Sequence, residues 1–241
     1  MIRKHLRKLS PKQLSAYIQF TQISPYLTRS GLINHIDLCK QYQFNAAMIA
    51  PCWVPLVKEM LKNTGIKTTT FIDFGMGSTS IGGKIALIKE IRKLGAEEVD
   101  YAPNMGYFLS GMYEEFFTES KEVVDAAEMM SIKAMLQLGM IKEEKEKKHA
   151  IRLLEKAGVD WIKNSSGGWP PGSTNATVDD IRLIKETITG KSRVKASGGI
   201  KNHKTAIALN EAGAELLGTS YGPEIIQGIS PDDSNYLNPV Y

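Results

Sequence analysis

A (β/α)8 TIM barrel with an extra N-terminal helix is the fold this sequence predicts, and three observations predict it. Eight short β-rich runs recur along the 241 residues. Amphipathic stretches lie between them. Four of those stretches end on a glycine just before the next run, the punctuation of repeated strand–helix–strand units. Such a barrel takes roughly 250 residues, so one domain over 1–241 is expected. No linker, low-complexity segment or composition shift divides the chain.

The elements follow in order. Ser10 and Pro11 suit the N-cap and first turn of a short leading helix. The runs "YIQFTQI", "AAMIAP", "TTTFIDFG", "EEVDYAPN", "SIKAMLQ", "DWIKNSS", "RVKASGG" and "ELLGTS" read as strands one to eight. Helical stretches between them include "VPLVKEMLKN", "KIALIKEIRKL", "EEKEKKHAIRLLEKA", "VDDIRLIKETI" and "KTAIALNEA". In the second of these, Ile85, Ile88 and Ile91 repeat at helical spacing, flanked by Leu87 and Leu94. Gly65, Gly95, Gly158 and Gly213 are placed to adopt the left-handed conformation that closes a helix. A doubly wound open sheet is the competing architecture. It calls for a glycine-rich fingerprint after strand one, and "TQISPYLTRSG" is not one.

Composition excludes several classes. The formal net charge of +4 gives no reason to invoke nucleic acid, and much of the excess sits in "MIRKHLRKLSPK". The following "QLSAYIQF" is too short and polar for a secretion signal, and no apolar run reaches membrane-spanning length. A cytoplasmic location is the expectation. Cys39 and Cys52 have no metal spacing and are expected to be buried small side chains. His5, His35, His149 and His203 are scattered, with solvated surface the expectation for each, so no metal is expected and a metal-dependent chemistry is the least favoured reading. The polar tail "GISPDDSNYLNPVY" reads as loop or as a segment docked on a neighbour.

Alternate residues of a strand share a face. Lys163 shares one with Trp161 and Ser165, Lys195 with Arg193 and Ser197, Asp100 with Glu98 and Ala102, and Lys133 with Met135 and Gln137. If Ile162, Val194 and Val99 face the helices, the three lysines and Asp100 line the barrel interior. A single buried lysine is more often structural, held by an acid. Several on neighbouring strands around one acid are harder to explain so. Clustered ammoniums repel, which drives at least one toward the neutral amine that carbonyl addition requires. A second constellation ends three strands: Ser165, Ser166, Gly167 and Gly168; Ser197, Gly198 and Gly199; Gly218, Thr219 and Ser220. Small residues there let backbone N–H groups approach an anion, and loops seven and eight are the usual phosphate seat of barrels. The plain alternative is tight turns that need glycine.

"VDWIKNSSGG", "ATVDDIRLIKE" and "RVKASGGIK" together resemble the 2-deoxyribose-5-phosphate aldolase family of class I aldolases, and "AAMIAPCWVPLVKEML" and "AEEVDYAPNMGYFLSG" extend the likeness over about residues 44–222. The resemblance implies that Lys163 forms a Schiff base, that Lys195 tunes its neighbour amine and that Asp100 takes part in proton transfer. It implies reversible cleavage of 2-deoxyribose 5-phosphate to acetaldehyde and glyceraldehyde 3-phosphate. It also implies no cofactor, because the iminium is the electron sink, and a homo-oligomer. Departures surround this core. Ser24 or its vicinity stands where the family has an aspartate after strand one. Gln137–Leu138 replaces Glu-Thr after strand five, and Asn164 replaces the usual threonine. Lys201 and Leu216 stand at arginine positions, and Tyr221 replaces the second serine of the phosphate turn. The alternatives are therefore a Schiff-base aldolase for another sugar or sugar phosphate, and a non-catalytic phosphate-binding barrel.

Overall fold

The computed structural model describes residues 9–167 and 173–228. Eight parallel strands, β1 to β8, close in sequence order into a barrel: Ile18–Gln22, Ala46–Ile49, Lys67–Ile72, Glu98–Tyr101, Ser131–Met135, Trp161–Lys163, Arg193–Ser197 and Leu216–Thr219. Around it run α1 (Pro11–Ser15), α2 (Arg29–Tyr42), α3 (Val54–Met60), α4 (Ile81–Leu94), α5 (Met105–Leu109), α6 (Tyr113–Ala127), α7 (Glu144–Ala157), α8 (Val178–Thr187), α9 (His203–Glu211) and α10 (Gly222–Gln227).

The leading helix forms for the predicted reason. Ser10 and Gln13 make a reciprocal capping box, with Pro11 in the first turn. Gly65, Gly95, Gly158 and Gly213 all have positive φ. The stripes of α2 and α6 are harder to see in sequence. α2 buries Leu32, His35, Ile36 and Cys39, and α6 buries Phe116, Glu119, Ser120, Val123 and Ala127. Both keep helical spacing, but polar side chains stand inside the apolar face.

Strand parity falls as expected. Val99, Ile162 and Val194 point outward into the helix-facing core, while Asp100, Lys133, Lys163 and Lys195 point inward and are all buried. The register sets Lys163 directly beside Lys195. One strand further round, Asp100 pairs with Lys133.

Two expectations about small polar residues are corrected. Cys39 is buried, but Cys52 is exposed, because it lies in the turn that follows β2 at the barrel mouth. His35 is not solvated. It stacks on Phe20 at 4.3 Å, and burial lowers its pKa to about 4, so the ring is a neutral core group. His149 is half-buried against Tyr113, and His203 shares a 3.1 Å hydrogen bond with the carbonyl of Ile225. The expectations for His5, most of the basic start, Gly168 and the tail beyond Gly228 lie outside the described residues. Among the described residues no helix is long and apolar enough to cross a membrane.

Candidate active site

Packing a sheet into a barrel forces inward side chains from neighbouring strands into shared layers. Here those layers are ionic. Near the lower end, Glu98 meets Lys133 at 2.7 Å and Lys67 at 2.5 Å. Above it, Asp100 is fully enclosed by three ammonium groups. Its Oδ2 accepts from Lys195 at 2.7 Å and from Lys163 at 3.0 Å, and Lys133 stands 3.4 Å from Oδ1. Gln19 of β1 completes the cluster: its Oε1 accepts from Lys195 at 2.6 Å, and its Nε2 donates to Glu98 at 2.7 Å.

The electrostatics follow from counting charges in a dry interior. Three buried lysines face two buried acids. Burial alone would raise the Asp100 carboxyl, but Lys195, Lys163 and Lys133 override it and hold the acid well below the usual carboxylate range. Glu98 is likewise lowered, to about 2, because Lys133 and Lys67 outweigh its burial. Lys195 shows the effect of that enclosure. Burial is the main cause that lowers this ammonium to about 7; Asp100 opposes the shift, and Lys163 and Lys133 add to it.

Above the cluster opens a cavity of about 820 Å3 at the C-terminal end of the strands. Lys163 and Lys195 lie in its floor. Ser166, Gly167, Ser197, Gly198, Gly199, Gly218, Thr219 and Ser220 all line it, so the three strand ends converge as the sequence indicated. Asp100 lies beneath the cavity and reaches it only through the lysines. Ser165 is the exception among the expected binding residues. It is not part of the lining: its hydroxyl donates to the carbonyls of Thr174 and Ser197 and accepts from the Gly167 N–H. It ties the loops after β6 and β7 together. Asn164 does the same from its side chain, accepting from the Ser197 N–H at 2.8 Å and donating to the Ser197 carbonyl.

Two glycines are needed for close approach. At Gly199 (φ +69°) a Cβ would come within 2.7 Å of the Asn175 side chain, and at Gly218 it would press on the Lys195 stem at 3.3 Å. The opposite wall is apolar, formed by Ile23, Pro25, Met48, Phe71 and Phe74. Sequence reasoning did not single these out, because apolar residues near strand ends look like core. Ser24 lies in the loop after β1, where its hydroxyl accepts from the N–H of Tyr26. Gln19 of β1, which sequence reasoning missed, is the residue that reaches Lys195. Gln137 holds a left-handed conformation and bonds Ser166 and Ser173, bridging the loops after β5 and β6.

A model of the DeoC/LacD family aldolases matches residues 31–228. The chain belongs to that family of lyases. It is 36% identical over 225 residues to the deoxyribose-phosphate aldolase of Carboxydothermus hydrogenoformans, covering 92% of this chain and 97% of that protein. The deoxyribose-phosphate aldolase of Dictyoglomus turgidum is 34% identical over 217 residues, covering 90% and 97%. Among solved structures, an aldolase called QR15 superposes with a TM-score of 0.82 at 30% identity, covering 89% of this chain and 94% of that one. The tetrameric deoxyribose phosphate aldolase of Aeropyrum pernix shares the fold with a TM-score of 0.80 at 24% identity, covering 90% and 91%.

Proposed function

We propose that this chain is a class I, Schiff-base aldolase that reversibly cleaves 2-deoxyribose 5-phosphate to acetaldehyde and glyceraldehyde 3-phosphate, acting as a single barrel domain. The observation that carries the reading is one shared atom: Asp100 Oδ2 contacts both Lys163 and Lys195, directly below an open cavity. The family and the relatives' names support the substrate.

Lys163 is the nucleophile. Its amine, at the cavity floor, attacks C1 of the open-chain sugar to form a carbinolamine, and loss of water gives the protonated imine. The iminium then accepts the electron pair of the C2–C3 bond as the C3 hydroxyl loses its proton. Glyceraldehyde 3-phosphate departs, and the remaining enamine is protonated at C2 and hydrolysed to acetaldehyde. Before attack, a proton must leave Lys163. Asp100 Oδ2 is its first acceptor and Lys195 the second. A carboxyl held so acidic keeps no proton, so it conducts, while an amine lowered to about 7 takes up and returns protons near neutrality. Ser166, Ser220, the glycine-rich loops and Lys201 at the rim form the proposed phosphate seat, supported by the small side chains there and by the start of α9 just beyond.

Borohydride added with 2-deoxyribose 5-phosphate should trap an adduct on the peptide containing Lys163, and Lys163→Ala should abolish both trapping and turnover. An adduct on another lysine, or none, would sink the assignment. A homo-oligomer belongs to the same proposal, and light scattering reads its mass directly.

A further inference from the structure

We propose that Gln19 is a positioning residue of this site: its amide, anchored by Glu98 and Asn45, accepts the Lys195 hydrogen bond and aims that amine at Asp100 without placing a second negative charge beside it. The inference rests on the aldolase reading above.

The amide orientation is settled by its partners. An ammonium needs an acceptor and a carboxylate needs a donor, so Oε1 faces Lys195 at 2.6 Å and Nε2 faces Glu98 at 2.7 Å. Nε2 also lies 3.2 Å from Asn45 Oδ1, which pins the plane of the amide from a second direction. Gln19 is fully buried, so these contacts form without competition from water. No charged side chain could serve both partners. A carboxylate would repel Glu98, and an ammonium would repel Lys195.

The charges around Lys195 can be named strand by strand. β4 supplies Asp100 in contact and Glu98 one bridge away; β5 supplies Lys133 and β6 supplies Lys163. β3 supplies Lys67, which reaches only Glu98. β8, from Leu216 to Thr219, offers no charged side chain. Among the described residues, Asp100 is thus the single anion in contact with Lys195. Burial already favours the neutral amine, and one shared anion keeps the ammonium from being locked in place. With a neutral Gln19, Lys195 can both accept and return the proton that Lys163 must exchange. The side chain is not among the residues lining the cavity; it acts through Lys195.

The test compares wild type, Gln19→Glu and Gln19→Met by two readouts. One is the pH profile of kcat/KM for 2-deoxyribose 5-phosphate. The other is the titration of the Lys195 side chain by NMR of 13C-lysine-labelled protein, assigned with Lys195→Met. In Gln19→Glu, a second anion should move the Lys195 titration and the acid limb up together by about one pH unit or more. Activity at pH 7 should fall about tenfold and recover at pH 9, with KM nearly unchanged. In Gln19→Met the lost acceptor should move both the other way. A limb and a resonance that stay at wild-type positions in the folded variants overturn the proposal, as does a moved resonance with an unmoved limb. If Gln19→Glu does not fold, Gln19→Met decides alone, and a Lys195 titration at or above the wild-type pH overturns it. If the wild type does not cleave the sugar, the aldolase reading fails, while the NMR titration still decides whether Gln19 controls Lys195.

Discussion

At the residue scale, the proposed mechanism needs an amine that takes up and returns a proton near neutral pH, and burial in the barrel lowers Lys195 into that range. With its ammonium lowered to about 7, activity should fall on the acid side as pH drops through that value, and a pH profile of kcat/KM checks it. Stability carries the same signature. Between about pH 7 and 10 the unfolded chain holds the Lys195 proton and the native chain does not, so native stability gains as pH rises. Urea melts at pH 7 and pH 9 should therefore show the wild type gaining on Lys195→Met. A constant difference would mean that Lys195 is charged throughout that window. Lys163, Lys195 and Asp100 were legible as a group because a charge inside a strand has few reasons to exist. Gln19 was not legible. Its strand reads "YIQFTQI", where a neutral amide carries no such signal, and only the closed barrel reveals the partner 176 residues away.

At the element scale, a second buried lysine shows the same logic used for architecture. Lys84, in the first turn of α4, donates to the carbonyls of Gly77 and Ala102 and to Glu119 of α6, and has no exposed surface. It ties the loop after β3, the end of β4 and two helices into one unit. Lys84→Met should cost about 3–5 kcal/mol, since it strands Glu119 as an unpaired buried charge. The double variant Lys84→Met with Glu119→Met should regain much of that in the same chemical melt; no recovery would place the cost in packing or in Asp73, a second acid 3.7 Å from Lys84. The loops are equally constrained. Gly199→Ala forces a side chain into positive φ against Asn175, at a cost of about 1–3 kcal/mol. It should raise KM while leaving borohydride trapping on Lys163 intact, and an unchanged KM would remove that loop from the substrate seat. Helices α4, α7, α8 and α9 were readable from their stripes. α2 and α6 were less so, because His35, Glu119 and Ser120 occupy buried positions that a simple apolar count leaves out.

At the scale of the whole molecule, closure makes the cluster possible. Strand β8 pairs with β1, so no edge admits water from the side, and the interior acids and amines face one another in a low-dielectric core. Exposed ion pairs such as Lys62–Glu59 are screened by salt, whereas the Asp100 group is enclosed. Raising sodium chloride from 0.1 to 1 M, concentrations of about a 10 Å and a 3 Å screening length, should leave the acid limb of the pH profile nearly unmoved. A limb that drifts with salt would show that bulk ions reach the cluster. By itself, the sequence determined the strand–helix period, the glycine stops and the inward parity of the lysines, because these are set by local geometry and residue chemistry. The tertiary structure alone decided that Lys195 is lowered by burial, that Gln19 meets it, and that Ser165 braces loops instead of lining the cavity. Those outcomes depend on burial and on distances between residues far apart in the chain, and both come into being only when the barrel closes.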